Sequence, residues 1–233
     1  MGQVGPLRWR EGRGWLVLAG GGNPEETESI IRAAIELVPD ESPVVFVPAA
    51  GLTEEASRNE GAQVIAHIER LGGPAGYVAP IFTPADAADP KNARRLMNAG
   101  LIYLGDGQTQ RLVETLSDTP TFHALEAAHR AGAVVLAMGQ AASALGAWCI
   151  GAARGAELSR GWDWLPDAII CPSFDEDAVP ALRAAIRSHA ECVGLGVPRG
   201  VALALGPGNQ VRTQGAGKLQ ATVVLGARFR QTS

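Results

Sequence analysis

The chain has 233 residues, of which 46% are hydrophobic and 19% charged, and its net charge at pH 7 is −4. This balance predicts one globular α/β domain over residues 1–233, and the lack of a basic stripe excludes nucleic acid as a partner. No apolar run approaches the ~18 residues of a membrane span, and the N-terminus lacks a signal-peptide pattern. We therefore expect no membrane partner and a cytoplasmic location.

Apolar runs alternate with amphipathic segments along most of the chain. Strands are predicted at Trp15–Ala19, Val44–Pro48, Tyr77–Ala79, Leu101–Leu104, Ala133–Met138 and Asp167–Cys171. Helices are predicted from Asn23 to Leu37, Thr53 to Leu71, Pro90 to Asn98, Thr109 to Leu116, Thr119 to Gly132 and Asp175 to Ala190, with loops at residues 84–89 and 155–164. Because the strands are apolar on both faces, this order predicts a doubly wound, mostly parallel sheet with helices on both faces.

The two ends of the chain differ from this alternation. Val201–Leu205 and Gln210–Thr213 flank a turn at Gly206–Asn209, which predicts a β-hairpin, and Ala221–Leu225 predicts a further strand. Residues 200–226 are therefore expected to be a β-rich C-terminal part, and residues 1–13 an N-terminal extension.

The residue types that bind metals are scattered. The cysteines are odd in number and widely spaced, at Cys149, Cys171 and Cys192. The histidines lie in predicted helices without an i,i+4 pair, at His67, His123, His129 and His189. We expect neither a disulfide framework nor a metal site nor a cofactor, and we interpret the histidines as surface or core residues on solvated or half-buried faces.

The most informative stretch joins the strand Ala133–Met138 to a cluster of very small residues from Gly139 to Gly146, which we expect to begin a helix. Hydrolytic α/β enzymes place a nucleophile at such a sharp turn, because small residues allow the turn and backbone N–H groups are available there. The position for the nucleophilic oxygen, two residues after Gly139, is Ala141. A methyl group cannot attack a carbonyl, so the sequence predicts a hydrolase scaffold without its reactive atom.

This turn also carries a family resemblance. Residues 139–144 resemble the Gly-x-Ser-Ala-Gly-Ala elbow of the serine exopeptidases that include cyanophycinase and aspartyl dipeptidase (peptidase E), with Ala141 and Ser143 replacing the serine and the second glycine. Residues 105–109 are similar to that family's Gly-Gly-Gly-Asn-Thr loop, which helps to form its oxyanion pocket, and residues 20–23 also fit. The resemblance spans roughly residues 14–225. It implies a class I glutamine amidotransferase-like fold and, because such relatives are often dimeric, a homodimer.

Other positions depart from the family pattern in the same direction. Ser173 stands where the family ends a strand with its histidine base, and Pro198 and Arg199 replace an acidic pair. Asp106 replaces a glycine and would place negative charge where an oxyanion develops. Loss of nucleophile and base together removes on the order of 10⁶ in rate.

The remaining candidate nucleophiles each have a structural interpretation. Ser143 is interpreted as a small polar residue that satisfies nearby backbone, and Ser173 as a helix-start residue. Cys149, among apolar neighbours, is interpreted as a buried inert thiol. Cys171 ends a strand next to the expected pocket, but no histidine is near it in sequence.

The glycine-containing loops and the elbow should converge at the carboxyl edge of the sheet, where open α/β sheets bind ligands. Backbone N–H groups there predict a pocket for a small peptide or amino-acid-like ligand, although the same glycines also fit ordinary strand-to-helix turns. The candidate pocket residues are Gly21, Gly22, Asn23, Gly105, Asp106, Gly107, Gln108, Gln140 and Ala141.

Three functional hypotheses stay open at this point. The first is a catalytically degenerate family member that binds a ligand or assembles with itself or another subunit. The second is an active exopeptidase for Asp-containing or β-aspartyl peptides, with a relocated nucleophile at Ser143 or Cys171. The third is a purely structural subunit, against which an open pocket bounded by Gly22, Gly107 and Ala141 would count.

Overall fold

The computed structural model describes residues 1–39, 42–150, 158–215 and 221–226. Its strands are β1 Gly2–Val4, β2 Leu7–Trp9, β3 Leu16–Ala19, β4 Val44–Val47, β5 Gly76–Val78, β6 Leu101–Leu104, β7 Val134–Met138, β8 Gly146–Cys149, β9 Ser159–Arg160, β10 Leu165–Pro172, β11 Val193–Val197, β12 Val201–Leu205, β13 Val211–Gly215 and β14 Thr222–Leu225. Its helices are α1 Pro24–Ile35, α2 Glu54–Arg70, α3 Pro84–Ala88, α4 Pro90–Met97, α5 Thr109–Leu116, α6 Pro120–Ala131 and α7 Val179–Ser188.

The central element is a seven-stranded sheet with the order β13-β12-β3-β7-β6-β4-β5. The five strands from β3 to β5 in that order are parallel, and the antiparallel hairpin β12–β13 extends the sheet beside β3. The doubly wound α/β fold and the C-terminal hairpin are therefore confirmed.

Helices cover both faces of this sheet. Leu16 and Leu18 of β3 belong to one apolar cluster, together with residues of α4, α5 and α6. Val17 and Ala19 belong to a second cluster, on the face that α1 and α2 cover. The alternation follows from strand geometry, because successive side chains point to opposite faces.

A second, five-stranded sheet has the order β14-β11-β10-β8-β9. Its strand β8 begins directly after the elbow, so the expected helix there is wrong: residues 139–145 form a 3₁₀ helix that leads into β8. The small side chains of Ala141, Ala142 and Ala144 are fully buried and carry the backbone through the interior. Pairing of β8 with β10 then overrides the local helix preference of these alanines.

Two predicted loops are corrected in part. Residues 84–89 contain α3, because Thr83 and Asp86 form a capping box and Pro84 occupies the first turn. Of residues 155–164, residues 155–157 lie outside the described part of the chain, and Ser159–Arg160 form β9.

Two further segments differ from their predictions. Asp175 caps a 3₁₀ turn at Glu176–Ala178, and α7 ends at Ser188, short of Ala190. The N-terminal segment contains the hairpin β1–β2, and it is held to the core by Trp9, whose indole N–H donates to the carbonyl of Gly206 at 3.2 Å.

Candidate functional site

Four loops meet at the carboxyl edge of the two sheets. The backbone N–H and the hydroxyl of Ser173, after β10, donate to the carbonyl of Gly20, after β3, at 3.0 and 2.9 Å. Gly21 approaches the elbow so closely that an added Cβ would lie 3.2 Å from the Cα of Gly139. The structure therefore brings together the glycine loop at residues 20–23, the elbow and Ser173.

Asp106 lies in the loop after β6, residues 105–108, and joins this β6 loop to the elbow. Its Oδ1 accepts the backbone N–H of Gln140 at 2.8 Å and that of Gly107 at 2.7 Å. The hydroxyl of Thr109 donates to the carbonyl of Gln140 at 2.7 Å, which adds a second hydrogen bond between the two segments. A carboxylate thus occupies backbone donors in the region where the resemblance expects an oxyanion pocket, and its negative charge opposes a developing oxyanion.

The apex of the elbow is closed. Ala141 is 0% exposed and belongs to the larger apolar cluster. Ser143 is 1% exposed, and its hydroxyl donates to the carbonyl of Ile170 at 3.1 Å. That hydrogen bond agrees with Ser143 as a residue that satisfies local backbone, and it leaves the oxygen away from solvent.

Ser173 does not start a helix, contrary to its sequence interpretation, because Asp175 provides the N-cap. Ser173 instead has a φ of +50° at the end of β10. Arg199, which replaces an acidic residue of the family pattern, pairs with Glu26 at 3.0 Å. The pKa of Glu26 is lowered, first by the backbone N–H of Asn23 and further by Arg199. These groups stabilise the start of α1 and do not form a proton relay.

The histidines lie apart from the candidate nucleophiles. His123 and Glu126 lie 3.6 Å apart on α6, and His189, at the C-terminal cap of α7, packs against Trp148 with the two rings tilted by 35°. His129 is 1% exposed and packs against Trp164, which corrects the expectation of a half-buried face. Burial lowers the pKa of His129 to about 4.

No hydrogen bond within the described residues joins any histidine to a serine hydroxyl or a cysteine thiol. His67 lies on α2 and accepts a hydrogen bond from Arg70. In the described part of the chain, therefore, none of the candidate nucleophiles has a histidine as a hydrogen-bonded base.

The thiols are held in their protonated form. Burial raises the pKa of Cys149 to about 12, and its Sγ donates to the carbonyl of Ser143. Burial, followed by the charge of Asp175, raises the pKa of the more accessible Cys171 to about 11. Because the thiolate is the nucleophilic form, neither side chain is activated at neutral pH.

An open cleft of about 470 Å³ lies beside the elbow, between α1 and α2. Gly22, Asp106 and Met138 form its boundary with the sheet edge. Gly107 and Ala141 do not line it, so the cleft differs from the pocket expected at the apex. Its other polar lining residues include Glu60, His67, Arg70 and Tyr103, none of which was among the sequence candidates.

Most other candidate pocket residues have structural contacts. Asn23 caps α1, and Gln108 occupies the cap position of α5. An added Cβ on Gly105 would lie 2.6 Å from the Phe46 ring, and one on Gly107 would lie 2.3 Å from the carbonyl oxygen of Ala50. Glycine at these two positions permits close packing, which agrees with the turn interpretation of the loops.

The described residues form neither a metal-ligand cluster nor a membrane-spanning helix. No group of three or more His, Cys, Asp and Glu side chains in these ranges is placed to hold a metal ion. None of the helices formed by these residues combines the length and apolar character needed to cross a membrane.

Comparison with known proteins agrees with this architecture. The sequence profile described as peptidase family S51 matches residues 16–212, which is most of the chain. The chain belongs to peptidase family S51. The matched region of this S51 chain includes the elbow, the β6 loop and the Ser173 position.

Solved structures show the same fold. A peptidase from an acI-B1 Actinobacterium superposes with a TM-score of 0.70 and 18% identity, over 93% of this chain and 97% of the other. A protein assigned as peptidase E from Listeria monocytogenes EGD-e gives a TM-score of 0.60 and 14% identity, over 88% and 99% of the two chains. No curated protein matches the S51 chain in sequence.

Proposed function

We propose that this S51 chain is a catalytically degenerate family member that binds a small peptide or amino-acid-like ligand and does not hydrolyse it. The observation that carries the proposal is the state of the elbow. Ala141 offers no nucleophile and is fully buried, while Asp106 holds the N–H of the preceding residue, Gln140.

The magnitudes support a binding role over slow catalysis. A serine peptidase that loses nucleophile and base keeps only the rate contribution of its oxyanion donors and substrate binding, which is roughly 10³ to 10⁴ over water. Here Asp106 also opposes negative charge near those donors. The open cleft between α1 and α2 argues for retained ligand binding against a purely structural role.

The test is a hydrolysis assay on Asp-containing dipeptides and β-aspartyl-arginine, with an active peptidase E as positive control. We expect no turnover above background. Fluorophosphonate and iodoacetamide labelling followed by peptide mass mapping covers the alternative, an active S51 exopeptidase with a relocated nucleophile. Stoichiometric labelling of Ser143 or Cys171 that a substrate-like peptide blocks, or turnover at peptidase rates, would overturn the proposal.

Location and assembly complete the proposed function. We place the protein in the cytoplasm, in keeping with its three free cysteines. We also propose a homodimer, which light scattering coupled to size exclusion tests directly: a monomeric mass at micromolar concentration would contradict it.

A further inference from the structure

The cleft between α1 and α2 has two chemically different ends. It lies on the sheet face opposite the buried elbow methyl, since Tyr103 and Met138 belong to the apolar cluster under α1 and α2, whereas Ala141 belongs to the other. One end contains acidic and phenolic groups, and the other contains a guanidinium group. The inference below rests on the proposed function only in that the ligand is bound and not cleaved.

The acidic end consists of Glu60, Tyr103 and Asp106. Tyr103 is 4% exposed, and its hydroxyl makes no hydrogen bond with any residue in the described ranges. Glu60 is an exposed residue of α2, but packing around its carboxyl group, followed by the charge of Asp106, raises its pKa. Within the described residues, no arginine or lysine forms an ion pair with Glu60 or Asp106. Oδ1 of Asp106 accepts two backbone N–H groups, but neither of these is a cation. Two carboxyl groups around a phenol without an ion-paired cation favour a cationic partner, such as a protonated amine.

The opposite end is cationic. Arg70 donates from Nη2 to Nδ1 of His67 at 3.1 Å and from Nε to the carbonyl of Ala66 at 3.4 Å. A guanidinium group has only donors, so His67 accepts and thereby orients Arg70. No carboxylate in the described part of the chain pairs with Arg70. Its remaining N–H groups are available to an anion, and carboxylates match the geometry of the guanidinium fork.

The wall between the two ends is apolar, and one face of α2 determines the distance between them. Glu60, His67 and Arg70 recur at i, i+7 and i+10 on α2, so the two charged ends are about 15 Å apart along the helix axis at their Cα atoms. The hydrogen bond from Nε of Arg70 to the carbonyl of Ala66 draws the guanidinium group back along the helix towards Glu60. Val64 lies between Glu60 and His67 on α2, and Ile31 and Met138 add apolar lining to the cleft.

We propose that this cleft binds a small linear amphoteric molecule. Its protonated amine lies among Glu60, Tyr103 and Asp106, its carboxylate meets Arg70, and an apolar chain lies between. The ligand class follows from the order of charges in the cleft, and the elbow takes no part in binding it.

Isothermal titration calorimetry with three probes of equal carbon number tests the proposal on the full chain. ε-Aminocaproate carries both charged groups, hexylamine only the amine and hexanoate only the carboxylate. We expect ε-aminocaproate to bind at least about tenfold more tightly than either of the others. Absence of ε-aminocaproate binding at millimolar concentration, or equal affinity for all three probes, would overturn the assignment.

Variants separate the two ends. Glu60→Gln should weaken binding of ε-aminocaproate and hexylamine by about tenfold and leave hexanoate unchanged. Arg70→Gln should weaken binding of ε-aminocaproate and hexanoate by about tenfold and leave hexylamine unchanged. Tyr103→Phe should act in the same direction as Glu60→Gln. Glu55→Gln is the matched control, because it removes a carboxylate from the first turn of the same helix, outside the cleft, and should change nothing. Equal losses for all three probes in Glu60→Gln and Arg70→Gln would contradict the orientation.

Failure of this test and failure of the proposed function are distinguishable. Missing probe binding leaves the hydrolysis assay unaffected, because that assay reports on the nucleophile position, and Ala141 does not line the cleft. Turnover in the hydrolysis assay, in turn, does not alter binding that depends on Glu60 and Arg70.

Discussion

The carboxylate of Asp106 lies directly over Gly139. A Cβ built on Gly139 would fall 2.2 Å from Oδ2 of Asp106, and the backbone of Gly139 has a φ of +55°. The elbow and the β6 loop are therefore fitted to each other: the loop requires glycine in the elbow, and the elbow N–H group holds the carboxylate.

This contact predicts that Gly139→Ala destabilises the fold more than backbone conformation alone explains. Left-handed backbone costs alanine roughly 1–2 kcal/mol, and the clash with Asp106 should add at least about 2 kcal/mol. Urea denaturation measures the total loss of stability in each variant, and the difference from the control gives the cost of the clash. Gly208→Ala is the control, because Gly208 has a similar φ of +64° and no atom near its added Cβ.

The same contact predicts a rescue. In an Asp106→Gly background the additional cost of Gly139→Ala should disappear, giving a coupling free energy of about 2–3 kcal/mol in a double-mutant cycle. Additive effects of the two substitutions would show that the carboxylate does not press on the elbow.

A further prediction concerns a serine and a histidine introduced at positions 141 and 173. The double variant Ala141→Ser/Ser173→His should stay inactive on Asp-containing dipeptides, because position 141 is closed and Asp106 holds the N–H of Gln140. Circular dichroism would establish that the variant is folded. Turnover by this double variant would show that Asp106 does not block acyl chemistry.

The central sheet was predictable from sequence, whereas of the second sheet only β10 and β14 were predicted as strands. β3, β4, β6 and β7 are uninterrupted apolar runs between helices, and such runs fit a sheet that is covered on both faces. β8 and β9 are short, with four and two residues, so local pattern carries little information about them.

The candidate site was predictable only in part. The small residues of the elbow, with Ala141 among them, could be read directly from the sequence, and Gly22 and Asp106 of the cleft were among the candidates. The rest of the cleft could not be predicted, because Glu60, His67 and Arg70 look like the solvated face of an amphipathic helix until α1 is packed beside them. Their i, i+7, i+10 spacing was the available signal. Helix α3 was missed although Thr83 and Asp86 carry a capping box.

His129 should make the protein less stable in acid. Its pKa is about 4 in the folded chain against a reference of 6.5, so the buried neutral ring favours folding above pH 6.5. As pH falls from 6.5 through 4, protonation of the unfolded chain removes up to about 3 kcal/mol of that stability.

Urea titrations between about pH 4 and pH 8, a range that spans both pKa values, check this prediction. His129→Leu should lose less stability on acidification than the wild-type chain. His123→Gln, at a histidine whose side chain is 69% exposed, should keep the wild-type profile. Parallel profiles for His129→Leu and wild type would contradict the assignment of this acid sensitivity to His129.

Cys171 should react slowly with iodoacetamide. A pKa of about 11 instead of 9.0 lowers the thiolate fraction near neutral pH by about 100-fold relative to an unperturbed thiol. Peptide mapping of the native protein should therefore show slow labelling that accelerates with pH beyond 9. The urea-unfolded chain, in which the thiols are solvated, is the internal control. Rapid labelling of native Cys171 at neutral pH would mean that the thiol is activated.

The burial of Gly139 and of residues 141–145 has an evolutionary consequence under the proposed function. A hydroxyl restored at position 141 would enter a closed apolar interior, which costs stability, and it would bring no activity while position 173 is serine and position 106 is aspartate. Each single reversion is therefore neutral or harmful. The sequence of the elbow therefore moves further from that of an active peptidase with time. Selection there acts on the size of the buried side chains and not on their chemistry.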